Sequence, residues 1–77
     1  SIIFDLGFVT TRSKNLIAAE EIFQYSLEVY PEEADSYLGM GFLRQTQGQL
    51  ESAKVMFEKA LTIDPDYSLA KRWLQRL

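Results

Sequence analysis

The sequence predicts an all-α fold, an α-solenoid of antiparallel helix-turn-helix repeats with five helices. The first observation is that the two halves of the chain match with a 34-residue period, which is typical of stacked helical hairpins. The second is that apolar residues recur at helical spacing, and the third is that each unit ends in a proline. The matching pairs are Gly7 and Gly41, Phe8 and Phe42, Leu16 and Leu50, Ala19 and Ala53, Phe23 and Phe57, Leu27 and Leu61, and Pro31 and Pro65.

The composition excludes several classes of site. The 77 residues suffice for one small domain, and 47% hydrophobic with 25% charged residues are typical of folded chains. Cysteine and histidine are absent, which excludes disulfides, thiol and imidazole catalysis and the commonest zinc ligands. No apolar run approaches the roughly 20 residues that span a bilayer. Because the chain lacks a domain-wide basic face, we also expect no nucleic-acid partner.

Residues 2–12 contain many good strand formers, among them Phe8 and Val9, with Gly7 in the middle. Read locally, the segment resembles a strand. It aligns, however, with residues 36–46 of the second unit, and tertiary packing commonly overrides local propensity. We therefore predict a helix here.

Residues 16–29 and 50–63 are predicted to form amphipathic helices from their apolar spacing. Asn15 is placed to cap the first of them, since its side chain can accept from free backbone amides. Gly48 can adopt the positive φ that a tight turn requires. The matching turn of the first unit uses Lys14 and Asn15, so we expect that turn to be the more strained.

Pro31 and Pro65 each end a helix and mark the boundary of a unit. Residues 34–47 follow the first proline with another helical pattern. After the second proline, Asp66 is predicted to cap a last helix that extends to Leu77.

The second unit reads Tyr37-x2-Met40-Gly41-x2-Arg44, followed by Ala53-x3-Phe57, Ala60 and Pro65, and it resembles the tetratricopeptide repeat pattern. The first unit resembles it through Ile3, Leu6-Gly7, Ala19-x3-Phe23, Ser26 and Pro31. The resemblance implies a right-handed solenoid in one domain, with repeats at about 1–33 and 34–67 and a capping helix at about 67–77. Thr10 and Arg44 stand where the family prefers an aromatic residue. Lys14 stands near the position where the family prefers a turn glycine.

In this family the first helix of each repeat lines a concave groove that holds an extended peptide or a partner helix. The resemblance therefore implies a partner-binding groove formed by Phe4, Phe8, Thr11, Arg12, Leu38, Phe42, Gln45, Arg72 and Arg76. The phenylalanines suit a hydrophobic peptide or amphipathic helix, and the arginines suit an acidic end. Some members of the family bind the C-terminal carboxylate of a partner through a lysine and asparagines in the groove. We expect no such carboxylate clamp here, because apolar residues stand at those positions.

Other interpretations of these residues stay open. The apolar stripe can belong to the core, or be covered by chain outside this sequence, instead of meeting a partner. Trp73 can seal the last interface or offer a stacking platform. Arg72 and Arg76 share one face of a helix, where they can bind a carboxylate or phosphate or interact with the helix dipole.

The leading functional hypothesis is a non-catalytic protein-binding module. A small chaperone or co-chaperone is one form of this hypothesis. A structural segment of a larger repeat scaffold is the alternative, and a chaperone of the type III secretion kind is a narrower version of the first. No catalytic, metal or cofactor site is expected, since no nucleophile has a base beside it and no phosphate loop is present. Because solenoids need about three repeats for stability, we also predict self-association or an obligate hetero-complex.

Overall fold

The computed structural model describes residues 2–77, and these residues form five α-helices and no strand. The helices are α1 (Ile2–Arg12), α2 (Leu16–Val29), α3 (Ala34–Thr46), α4 (Leu50–Ile63) and α5 (Ser68–Gln75). Helix α3 lies at the centre, where it packs against α1, α2 and α4, and α5 packs against α4. The all-α prediction is confirmed, and residues 2–12 are helical despite their strand-forming side chains.

The turns inside the two hairpins have the same backbone hydrogen bonds, one repeat apart. In the first, the amide of Asn15 donates to the carbonyl of Thr10 at 3.1 Å, and in the second Gln49 donates to Arg44 at 2.9 Å. Gly48 has the predicted positive φ of 80°, and Lys14 has a φ of 65° at the matching position. A side chain with a β-carbon is disfavoured in this conformation, so the prediction of a more strained first turn is confirmed.

Both capping predictions are wrong. Asn15 occupies the N-cap position of α2, but its side chain makes no capping hydrogen bond. Helix α5 begins at Ser68 with Tyr67 at its N-cap, so Asp66 lies one residue too early to cap it. The carboxylate of Asp64 instead accepts from the backbone amide of Asp66 at 3.1 Å, which closes an Asx turn ahead of the helix.

Phenylalanines packed against glycines join the helices of the core. Phe23 and Phe57 are fully buried. The ring of Phe23 lies against both Gly7 in α1 and Gly39 in α3, and the ring of Phe57 lies against Gly41. A methyl group at any of these glycines would overlap a ring, so the glycines permit the close approach of the helices.

Polar side chains meet at two places in the interface between α2 and α3. The hydroxyls of Ser26 and Ser36 are buried and hydrogen-bonded to each other at 2.6 Å. Arg44 donates two hydrogen bonds to the carboxylate of Glu20, at 2.6 and 2.8 Å. This bidentate geometry explains how α3 tolerates an arginine where the family prefers an aromatic.

Candidate functional site

Aromatic side chains from three different helices meet on one side of the molecule. The rings of Phe8 and Phe42 stack with 4.6 Å between centroids. Trp73 lies 5.1 Å from Phe42 and 5.9 Å from Phe8. Phe4 joins them at 5.8 Å from Phe8. We call these four half-buried residues the aromatic face.

The repeat explains why this face exists. Phe8 and Phe42 occupy equivalent positions in α1 and α3, so stacking the two hairpins brings their rings together. Phe4 precedes Phe8 by one helical turn and therefore shares its side of α1. The face is continuous with the core, since Phe4 lies 6.4 Å from the buried ring of Phe23.

Trp73 is not among the predicted groove residues, although the structure places it in the aromatic face. It also contacts the core, because the ring of Phe57 meets it edge to face at 5.9 Å. These contacts agree with the interpretation that Trp73 seals the last interface. Helical spacing contains a signal for this residue, since Trp73 lies three residues before Arg76, the equivalent of Phe8 and Phe42, and so lies near the same side of its helix.

Two predicted groove residues are not accessible, which corrects their assignment. Leu38 is fully buried in a cluster with Phe57, Ala60 and Ala70, because α4 and α5 close over it. Thr11 is fully buried as well, and its hydroxyl donates to the carbonyl of Gly7 at 2.7 Å. Neither side chain presents a surface to a partner.

The remaining predicted residues are polar and accessible. Arg12 is exposed, and its guanidinium carbon lies 5.8 Å from the centre of the Phe8 ring, which places it in contact with the aromatic face. Gln45 is half-buried. Arg72 and Arg76 are exposed at the end of α5, where positive charge also interacts favourably with the helix dipole.

A perturbed phenol lies away from this face, at the junction of α3 and α5. Tyr67 donates a hydrogen bond to the carboxylate of Asp35. Burial, followed by the hydrogen bond and the negative charge of Asp35, raises the pKa of Tyr67 well above its usual range. The contact therefore requires a protonated phenol, and it ties the start of α5 to the start of α3.

Within residues 2–77, no group of three or more acidic side chains is placed to hold a metal ion. None of the helices in that range has both the length and the apolar character needed to cross a membrane.

Comparison with known proteins agrees with the repeat. Residues 34–67 match the family described as Tetratricopeptide repeat. The chain is 39% identical over 67 residues to Cellulose synthase 1 operon protein C of Komagataeibacter xylinus, and the alignment covers 87% of this chain and 5% of that protein. It is 34% identical over 67 residues to the mouse Protein O-mannosyl-transferase TMTC1, covering 86% of this chain and 7% of that protein.

The chain thus spans less than a tenth of the length of these relatives. No solved structure matches it significantly. Five helices in a 34-residue period, the glycines and phenylalanines that join them, and the match over residues 34–67 agree with one another. The chain belongs to the tetratricopeptide repeat family.

Proposed function

We propose that this chain is a non-catalytic protein-binding unit whose aromatic face binds an apolar peptide segment or an amphipathic helix. The observation that supports the proposal is the alignment of Phe4, Phe8, Phe42 and Trp73 across α1, α3 and α5, with each ring half-buried. Half-buried rings are held in place by the core and still offer surface. Aromatic residues of this kind commonly supply most of the affinity in protein interfaces.

The exposed arginines favour a partner with acidic residues. Arg12 lies over the edge of the aromatic face, and α5 ends with Arg72 and Arg76 exposed. Arginine binds carboxylates with two parallel hydrogen bonds. The partner that fits is apolar where it meets the rings and acidic where it approaches Arg12 or the end of α5. A small chaperone, including one of the type III secretion kind, would use the same face to shield a client.

The second candidate function is that of a structural segment in a larger repeat scaffold. The observation that favours it is a separate apolar surface on α1, where Ile2, Leu6 and Val9 are exposed. The short span of the chain within its relatives agrees with this interpretation. Self-association or an obligate partner would cover the same surface, since exposed apolar patches usually mark interfaces.

Selection from a random peptide library tests the first proposal without a known partner. Peptides selected on the wild-type chain are measured by fluorescence anisotropy against Phe8→Glu and Phe42→Glu. We expect selected peptides to combine apolar and acidic residues, and each substitution to weaken binding at least about tenfold, or about 1.4 kcal/mol. Val55→Glu is the matched control, because Val55 is an exposed apolar residue of α4 outside the aromatic face.

Arg12→Glu provides a variant that leaves the stacked rings in place. We expect it to weaken binding of acidic peptides while circular dichroism shows unchanged helix content. If peptides bind the double variant Phe8→Glu/Phe42→Glu as tightly as the wild-type chain, the aromatic face is not the binding site.

A further inference from the structure

One side of α1 is apolar and exposed, and the equivalent side of α3 shows what kind of element can cover it. We define the N-terminal face as Ile2, Leu6 and Val9 of α1 with Ile22 and Tyr25 of α2. Its three α1 residues are 86%, 55% and 60% exposed. The equivalent residues of α3 are 1%, 2% and 0% exposed, and they are Ser36, Met40 and Leu43.

The α3 residues are buried because α2 covers them. Met40 and Leu43 form one core cluster with Ala19 and Phe23 of α2, and Leu16 and Leu27 of α2 pack at its edge. Helix α1 presents the same positions without a helix over them. The N-terminal face therefore has the form of a half-interface whose other half is a helix like α2.

A cleft between α1 and α2 marks where such a helix would insert its side chains. It has a volume of about 380 Å³ and a strongly apolar lining that includes Leu6, Ile22 and Tyr25. The residues equivalent to Leu6 and Ile22 are Met40 and Met56, which both pack in the cluster that contains Phe23 and Leu27. The equivalent space in the second unit is therefore occupied by side chains of α2.

We propose that the N-terminal face binds the second helix of another 34-residue helical hairpin, located ahead of α1 in the same polypeptide. The inference rests on the second candidate function above and is independent of the aromatic face. By equivalence with Leu16, Phe23 and Leu27, the docked helix presents large apolar residues at positions i, i+7 and i+11.

The N-terminal face also specifies what lies between those large residues. Ser36 meets Ser26 through a hydrogen bond between hydroxyls, but Ile2 at the equivalent position has no polar group. The residue of the docked helix that faces Ile2, at i+10, should therefore be small and apolar. Ala60 provides the precedent within this chain, because it packs in one fully buried cluster with Ala70, the equivalent of Ser36.

Charge and shape at two further positions distinguish this interface from the one between α2 and α3. Thr10 stands where α3 has Arg44, and its hydroxyl already donates to the carbonyl of Leu6 at 2.6 Å, so no acidic partner like Glu20 is needed. Asp5 stands where α3 has Gly39 and α5 has Trp73. The large residue at i+7 therefore meets the side chain of Asp5 instead of the backbone that Phe23 meets at Gly39.

A second copy of the 77-residue chain fits the N-terminal face less well. The surfaces that match it are the inner sides of α2 and α4, and both are already covered. Phe23 and Phe57, which lie at their centres, are each fully buried. A second copy could offer an equivalent helix only by displacing its own α3 or α5.

The test extends the chain by one unit of its own sequence. Repeating residues 34–68 directly ahead of Ser1 preserves the 34-residue period and places a copy of α4 over the N-terminal face. That copy presents Leu50, Phe57 and Leu61 at the required spacing, with Ala60 opposite Ile2. We expect the extended protein to unfold in one transition at a higher denaturant midpoint than the 77-residue chain.

The double substitution Leu6→Gln/Val9→Gln shows whether the gain depends on the N-terminal face. We expect it to remove most of the gain from the extended protein and to change the midpoint of the 77-residue chain little, because both residues are exposed there. Val55 is an exposed apolar residue of α4 and serves as the control position. Val55→Gln, introduced into both proteins, should leave the difference between their midpoints unchanged.

A second extension keeps the inference testable if the first does not fold. Repeating residues 1–34 ahead of Ser1 places α2 over the face and Ser26 opposite Ile2, so we expect a smaller gain. The inference would be overturned if neither extension raised the denaturant midpoint. It would also be overturned if Leu6→Gln/Val9→Gln lowered the midpoint equally in the extended protein and in the 77-residue chain. A dimer of the 77-residue chain that the Gln pair dissociates in sedimentation equilibrium would overturn it too, by assigning the face to a second copy. Peptide binding to the aromatic face is measured separately and does not depend on these outcomes.

Discussion

Trp73 occupies in α5 the position that Gly39 occupies in α3, one full repeat earlier. At Gly39 the ring of Phe23 lies directly against the backbone of α3. At Trp73 the equivalent ring, Phe57, meets an indole edge to face at 5.9 Å. The same repeat position thus permits close helix packing in the middle of the chain and extends the aromatic face at its end.

Adding a methyl group at Gly39 should destabilise the fold. A β-carbon there would overlap the ring of Phe23, which cannot retreat because its other side lies against Gly7. Alanine gains about 1 kcal/mol of helix propensity over glycine, and the overlap must outweigh that gain. We expect Gly39→Ala to lower the free energy of unfolding by about 1–3 kcal/mol, measured by denaturant titration.

The control for this prediction is a double-mutant cycle with Phe23→Leu. A smaller side chain at position 23 removes the overlap, so the two substitutions together should cost less than the sum of their separate costs. Additive costs would show that Gly39 does not act through the ring of Phe23.

The buried serine pair should be replaceable as a pair but not singly. Ser36 donates to, or accepts from, Ser26 and also lies within hydrogen-bond distance of the carbonyls of Ser26 and Tyr30. Ser36→Ala leaves the hydroxyl of Ser26 without this partner, and we expect a loss of about 1–3 kcal/mol. Ser26→Ala/Ser36→Ala reproduces the pair Ala60 and Ala70, which stands one repeat later, so thermal melts should place it closer to wild type than Ser36→Ala.

Stability should fall at alkaline pH through Tyr67. Its pKa is raised in the folded state by burial and by Asp35, so the fold favours the protonated phenol. The contribution is fully present below the unfolded pKa of about 10 and is lost as pH rises toward the folded pKa. Tyr67→Phe lacks the hydrogen bond to Asp35 and should be less stable than wild type at neutral pH.

Chemical denaturation from about pH 8 to about pH 11 measures the difference between wild type and Tyr67→Phe. Every other side chain is common to the two proteins, so the difference isolates the phenol. We expect the two stabilities to converge above about pH 10. Parallel profiles across this range would contradict a raised pKa at Tyr67.

Replacing Lys14 with glycine should stabilise the first hairpin. Lys14 has a positive φ of 65°, as Gly48 does at the matching turn. This conformation costs a residue with a β-carbon about 1 kcal/mol, and glycine adopts it freely. We expect Lys14→Gly to raise the free energy of unfolding by up to about 1 kcal/mol, while Lys54→Gly, inside α4, lowers it by about 1 kcal/mol. A destabilised Lys14→Gly would show that the lysine side chain compensates for the strain.

The candidate site can be predicted in part. The repeat places Phe8 and Phe42 on the same side of their helices, and the two rings do stack. The same reasoning assigns Leu38 to that surface, yet α4 and α5 bury it. Helical spacing identifies the side of a helix on which a residue lies, but not which neighbouring helix covers that side.

Sequence patterns alone suffice to predict the five helices and the two hairpins. Those features depend on local sterics and on apolar spacing, which recur in each repeat. The packed structure was needed to show that Trp73 joins Phe8 and Phe42, that Thr11 is buried, and that Ile2, Leu6 and Val9 are exposed. Exposure depends on which helix lies over a residue, and contacts between residues as distant as Phe8 and Trp73 form only when all the hairpins stack.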